Sequence, residues 1–248
     1  MATPKDKLAD SLQALHKVQR KGVVAVRSRD LSRTDRERLL KSGFLKDVIK
    51  GWYIPSRPDE VPGDSTAWYA SFWDFCAAYL SERFGEDWCL SPEQSLSLHA
   101  GNRTVPAQLL VRTPRGGNKP TALPFGTSLF DVRNAMPGRS EVVERDGLRL
   151  FSVPAALVTV SEDYFRRVPT DARAAMATIK DASDVLALLL SGGHSTVAGR
   201  LAGAFRNGAR PRIADEIVKT MQAAGYAVRE TDPFDTRPGP ALALREVS

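Results

Sequence analysis

Apolar residues recur at helical spacing from the start of the chain. Leu8, Leu12, Leu15 and Val18 share one face of residues 5–20, with Ala9 and His16 beside them, and Gly22 closes the run. "VVAV" (23–26) is a short apolar connection, either a strand or a buried turn. "SRDLS" (28–32) predicts one short helical turn with Leu31 inward. Thr34 has the chemistry of an N-cap: Asp35 and Glu37 occupy the first turn, and Glu37 stands three residues on, as a capping box requires. Leu39 and Leu40 supply an inner face, and Gly43 is placed to end that helix in the left-handed region. "FLKDVI" then alternates in part, Lys50-Gly51 is a turn, and "WYIP" returns, which predicts a hairpin.

Helix, short helix, helix and hairpin is the layout of a winged helix-turn-helix over residues 1–57. "SRPDEVPGDS" (56–65) is rich in Pro, Gly, Ser and acid and predicts a linker. Beyond it, Ser65 or Thr66 can cap an aromatic helix over 66–83 carrying Trp68, Phe72, Trp73, Phe75, Cys76, Tyr79 and Leu80. "SPEQSLSLHAG" predicts a second short helix, with Ser91 as N-cap and Pro92 at its first position. From 103 to 153 the texture is that of strands: "VPAQLLVRTP", "TSLFDVR" and "SEVVERDGLRLFSV", the last with a hairpin at Asp146-Gly147. "TPRGGNKPTALPFG" is a loop between them. From Pro154 helices return in "PAALVTVSEDYF", "ASDVLALLLSGG", "STVAGRLAGAFRNG" and "RPRIADEIVKTMQAAG", and "YAVRETDPF" predicts a last short strand. The fold class expected is α+β: a winged helix-turn-helix at 1–57, a mixed α/β body with a helical C-terminal half at 65–232, and a tail at 233–248.

Charge sharpens this division. Residues 1–57 hold 14 Lys/Arg and 6 Asp/Glu, a net of +8, whereas the rest of the chain is net −2. A basic module on a near-neutral body points to a polyanion met by the module alone. A helix of this kind enters the major groove with its N-terminal and outward residues toward base edges. Arg36, two residues after the expected cap, is the candidate for a guanine O6/N7 pair. Arg33 and Thr34 would sit over phosphate at the helix start, and Lys41 lies off the inner face. Lys46 and Lys50 of the wing would touch backbone or minor groove, and Arg27 and Arg29 would position the preceding turn. The alternatives are a module that contacts protein, and an ordinary small domain with solvated charged faces.

Other chemistry is sparse. Cys76 and Cys89 form no CxxC and have no nearby His pair, so they read as buried reduced thiols. His16, His99 and His194 lack metal-ligand spacing. There is no G-x-S-x-G, P-loop or GxGxxG. "GGNKP" (116–120) is basic and glycine-rich, but Pro follows its lysine, which favours a flexible loop over a phosphate cradle. The expectation is therefore no enzyme, no cofactor and no metal. No apolar run is long enough for a membrane span, and the N-terminus has no signal-peptide core, so a cytoplasmic protein is expected.

"RERLLKSGFLKDVIKGWYIPS" resembles the N-terminal winged-helix domain of AbiEi-type antitoxins and related transcriptional regulators. Leu39, Leu40, Gly43, Phe44, Leu45, Lys50, Gly51 and Tyr53 are the matching positions. The resemblance implies a repressor that binds its own operator as double-stranded DNA and opposes a nucleotidyltransferase-type toxin. Readers of this class often dimerise to contact two half-sites, so a homodimer is a further expectation. A second resemblance runs through "GDSTAWYASFWDFCAAYLSERFG", "WCLSPEQSLSLHAGN" and "LLVRTPRGGNKPTALPFGTSLFDVR", which look like the region preceding the catalytic domain of some long Fic-family proteins. It implies either the regulatory N-terminal region of a larger Fic-type AMP transferase, with the Fic catalytic domain as its partner, or a stand-alone relative. The family's His-Pro-Phe-x-x-Gly-Asn-Gly-Arg loop is absent, and "HAGNR" (99–103) has the wrong spacing for it.

Overall fold

A computed structural model describes residues 3–20, 22–61 and 63–235. The protein is a mixed α/β chain. In chain order its elements are α1 (Pro4–Gln19), β1 (Val26–Arg27), α2 (Arg33–Lys41), β2 (Leu45–Ile49), β3 (Trp52–Pro55), α3 (Thr66–Phe84), β4 (Cys89–Leu90) and α4 (Pro92–His99). There follow β5 (Gln108–Thr113), β6 (Pro120–Ala122), β7 (Ser128–Arg133), β8 (Val142–Arg145) and β9 (Leu148–Phe151). The rest is helical: α5 (Val153–Thr159), α6 (Glu162–Arg167), α7 (Pro169–Ala177), α8 (Ser183–Gly192), α9 (Ser195–Asn207) and α10 (Pro211–Ala223). They group into two compact units: Met1–Ser91 with Thr104–Leu150, and Pro92–Arg103 with Phe151–Ser248.

The first unit begins with α1, whose N-terminus is a capping box between Thr3 and Asp6 with Pro4 in the first turn. Its apolar stripe packs on a core of Leu15, Val26, Leu31, Leu39, Leu45 and Tyr53. Of the apolar connection only Val26 enters a strand: β1 pairs antiparallel with β3 at Val26–Tyr53 and Arg27–Trp52, giving a three-stranded sheet in the order β1-β3-β2. Residues 28–30 form a turn instead of the expected short helix, closed by Asp30 N–H on the Arg27 carbonyl at 3.0 Å. The cap of α2 is Ser32, two residues before the expected Thr34. Ser32 wins because its Oγ accepts the Asp35 N–H at 3.1 Å and its hydroxyl donates to Asp35 Oδ2 at 2.6 Å. Gly43 (φ +73°) ends α2 as expected, with Gly43 N–H on the Leu40 carbonyl and Phe44 N–H on the Leu39 carbonyl.

Residues 56–65 are not a loose linker. Ser56 donates to the Gly43 carbonyl at 2.7 Å, and Glu60 accepts from the Arg57 backbone and pairs with Lys46. Nor does the chain divide there. Trp52 of β3 meets Phe75 and Tyr79 of α3 edge-on at 5.9 and 5.7 Å, so the N-terminal sheet and α3 share apolar packing and fall in one unit. α3 is buried along most of its length, and its Trp68 donates Nε1–H to Thr127 Oγ1. Its first N–H, that of Thr66, is accepted by Asp64 Oδ1, not by Ser65. The unit is completed by a mixed sheet ordered β4-β5-β7-β6, with β5 and β7 parallel, and by the β8-β9 hairpin. That hairpin turns at Asp146-Gly147, both at positive φ, as the dipeptide predicts.

β6 lies inside the segment read as a loop. It is a short edge strand beginning at Pro120, where the missing N–H costs nothing. The "GGNKP" turn is filled from within. Asp131 of β7 is buried, accepts Gly117 N–H at 2.9 Å and pairs with Arg83 at 3.0 Å. The carboxylate occupies the donor that a phosphate would need.

The second unit is helical. α4 starts at Pro92, and its Ser95 Oγ accepts the Phe151 N–H at 3.0 Å. "PAALVTVSEDYF" is two helices, α5 and α6, parted at Val160-Ser161, where Val160 is extended. α7 escapes the sequence pattern because it buries mainly Ala172, Ala175 and Met176, which carry weak periodicity. "YAVRETDPF" is extended but is not a strand. It runs along α9, with Thr231 N–H on the Gly199 carbonyl at 3.2 Å. A helix face has no free ladder of donors and acceptors, so no sheet forms. Of the expected tail, Phe234 packs on Phe165, and residues 236–248 lie outside those described.

Candidate nucleic-acid interface

The candidate residues come from three neighbouring pieces of backbone: the 28–30 turn, helix α2 and the Lys50-Gly51 turn. Ser28 joins them. Its N–H donates to the Gly51 carbonyl at 2.9 Å, and its own carbonyl accepts Arg36 Nη1 at 2.9 Å. Gly51 can close the hairpin turn because it takes φ +84°. Arg27, Arg29, Arg36 and Lys50 thereby gather around one backbone node.

Within this group the side chains differ in freedom. Arg36 is half-buried, bonded to Ser28 and set over the Tyr53 ring at 5.7 Å. It ties α2 to the turn and the sheet, and its guanidinium is committed inward. Arg27 donates to Asp30 and to Glu82 Oε2, the latter at 2.9 Å. Asp30 is the main reason its guanidinium is held above the ordinary arginine value, and Glu82 adds to it. Arg29 reaches the same Glu82 oxygen at 2.7 Å. Lys46 is partly buried against Glu60, and this lysine is the chief cause of the lowered Glu60 carboxyl.

The outward face of α2 carries Arg33, Thr34, Glu37 and Lys41, all exposed and opposite Leu39. Arg33 pairs with Glu37 at 2.7 Å across one helical turn and is 84% exposed, so the pair is solvent-screened. Arg33 holds the Glu37 carboxyl below its ordinary value. The sequence assigned Glu37 to a cap; the register shift to Ser32 moves it to the middle of this face. Lys41 and Lys50 are exposed and form no ion pair among the described residues. The third basic residue of α2, Arg38, points to the core side. It donates to the Lys7 carbonyl and to Ser11, which is fully buried and donates to Asp35.

Cys76 and Cys89 are buried free thiols; burial pushes Cys76 up well above an ordinary thiol and Cys89 up to about 12. His99 bonds the Phe151 carbonyl at 2.8 Å. Among the described residues no group of three or more His, Cys, Asp or Glu is placed to hold a metal, and no helix is long and apolar enough to cross a membrane.

No protein-family model matches the chain, and no curated protein matches it. One solved structure, the crystal structure of RV2827C protein from Mycobacterium tuberculosis, is similar to it with a TM-score of 0.54 and 16% identity. The likeness covers 94% of this chain and 86% of that one, and at this identity it is a likeness of fold alone.

Proposed function

We propose that residues 1–57 are a winged helix-turn-helix that binds double-stranded DNA, and that the protein is an antitoxin-like repressor of its own operon. The observation that carries this reading is the connectivity α1-β1-α2-β2-β3 with the sheet order β1-β3-β2, which leaves one face of α2 and the hairpin turn exposed and basic. In this reading α2 is the groove helix. Arg33, Thr34 and Lys41 meet the DNA, Lys50 holds backbone at the wing, and Arg36 positions α2 instead of reading a base. Repression of a toxin operon, the toxin as partner and dimerisation rest on the AbiEi resemblance of residues 36–56. No catalytic step or cofactor is assigned to the chain.

The test is fluorescence anisotropy of the full chain on its own upstream duplex and on a scrambled one, across a salt series. Preference for the native duplex with a steep salt slope supports the reading. Lys41→Ala and Lys50→Ala should each weaken binding to both duplexes and flatten the slope by about one unit. Equal weak binding to both duplexes, unmoved by these variants, sinks it.

A further inference from the structure

The basic node around Ser28 is met by a carboxylate from far along the chain. Glu82, near the end of α3, offers one oxygen, Oε2, to Arg27 Nη1 at 2.9 Å and to Arg29 Nη2 at 2.7 Å. Glu82 also lines a cleft of about 540 Å³ with Arg27, Asp74 and Glu144. Of the other cations of the node and of α2's outer face, Arg36 bonds the Ser28 carbonyl and Arg33 pairs with Glu37, while Lys50 and Lys41 form no ion pair among the described residues.

We infer that Glu82 is a counter-charge that withholds Arg29, and together with Asp30 also Arg27, from DNA and thereby limits affinity. This rests on the DNA-binding reading above. The physical basis is competition. A phosphate that approaches Arg27 or Arg29 must displace a carboxylate already bound at hydrogen-bonding distance, and until it does so the arginines' positive charge is partly offset by that carboxylate. Two arginines that would each release a counterion from DNA release none while they are bound to Glu82. Glu82 is only partly exposed, at 39%, whereas Arg29 is 61% exposed, so the arginine can swing away while the glutamate stays on its helix. The residue acts through Arg27 and Arg29 and makes no contact with DNA itself.

The experiment compares the full-length wild type, Glu82→Gln and Glu82→Gln with Arg27→Ala and Arg29→Ala, on one non-specific duplex across a salt series. Thermal unfolding of each is followed in parallel. Glu82→Gln keeps the shape and removes the charge. Freeing Arg29 should steepen the slope of log Kd against log salt by about 0.9, and by about 1.8 where phosphate also draws Arg27 from Asp30. The variant's advantage over wild type should then be about three- to twelvefold larger at 50 mM than at 200 mM salt. Removing both arginines should abolish the gain. A merely structural role for Glu82 would move the unfolding midpoint and leave the slope alone. Wild-type binding with an unchanged or flatter slope in Glu82→Gln overturns the inference while leaving the DNA-binding reading intact. No binding by any of the three proteins overturns both.

Discussion

Arg36 shows how a single side chain changes meaning once its neighbours are known. Counted from the expected cap at Thr34, it sits where a base-reading arginine belongs. Its guanidinium instead bonds the Ser28 carbonyl and covers Tyr53. Arg36→Ala should therefore lower stability by about 1.5–3 kcal/mol, the range for a lost hydrogen bond from a charged group, read by urea denaturation. A variant as stable as wild type that had lost only base preference would return Arg36 to the groove. Asp35 supplies a second residue-scale prediction. Hydrogen bonds from Ser32 first, then Ser11, hold its carboxyl below the ordinary value of 3.8. A depressed folded value means the ionised form is favoured in the fold. Its stabilisation is complete above the ordinary carboxylate value and is lost as pH falls through the folded one. The stability gap between wild type and Asp35→Asn should thus be widest near neutral pH and shrink as pH drops below 3.8. A gap that stays constant from pH 7 to pH 2 in urea midpoints would refute this.

At the scale of elements, close approach decides what the apolar pattern leaves open. α9 presents Gly199 and Gly203 to the extended segment after α10. A Cβ on Gly199 would stand 1.9 Å from the Arg229 carbonyl oxygen, and one on Gly203 would stand 2.1 Å from that of Thr231. Arg206 with Glu230, and Asn207 with Asp232, pin the same segment at its polar edge. Gly199→Ala or Gly203→Ala should push the segment off the helix, with faster amide exchange over 226–232 than in wild type. Unchanged exchange in both variants would mean that the helix can shift to make room. The same logic explains why "YAVRETDPF" misleads as sequence. Its alternation suits a strand, but the surface that receives it is a helix with two glycines, and only the tertiary neighbour distinguishes the two.

For the whole molecule, the discontinuity of the second unit has a consequence. Its helices α5–α10 are contiguous from residue 153 onward, yet α4 comes from residues 92–99, before three strands of the other unit's sheet. α4 supplies Ser95 to the Phe151 backbone and His99 to its carbonyl, and Asn102 beyond it bonds the buried Asp171 at 2.8 Å. A fragment spanning 151–248 loses all three and leaves Asp171 without that partner. It should lack a cooperative thermal transition by circular dichroism, whereas the full chain shows one. A cooperative fragment would show that α4 is dispensable. The expected cut at 57–65 fails at this scale for a related reason. A Pro/Gly-rich, acidic stretch predicts a linker by composition, but Trp52 seats on α3 and Glu60 on Lys46, so the stretch is held from both sides.

Local chemistry was legible in the amino-acid sequence. α1, α2 with its Gly43 stop, the Lys50-Gly51 and Asp146-Gly147 turns, the strands around 108–151 other than β6, and the long C-terminal helices all follow from patterns within a few residues. Helical periodicity and positive-φ turns are satisfied by near neighbours, so the sequence suffices to place them. What only the tertiary structure decided depends on partners distant in sequence. Glu82 lies 55 and 53 residues from Arg27 and Arg29. Asp131 fills a turn 14 residues away, and the Ser32 cap is favoured by a carboxylate that Ser11 of α1 also binds, from 24 residues back. Which cations face solvent, which are neutralised and where the chain divides are set by such long-range encounters. Charge and burial are properties of the neighbours in space, and those neighbours exist only once the chain has folded.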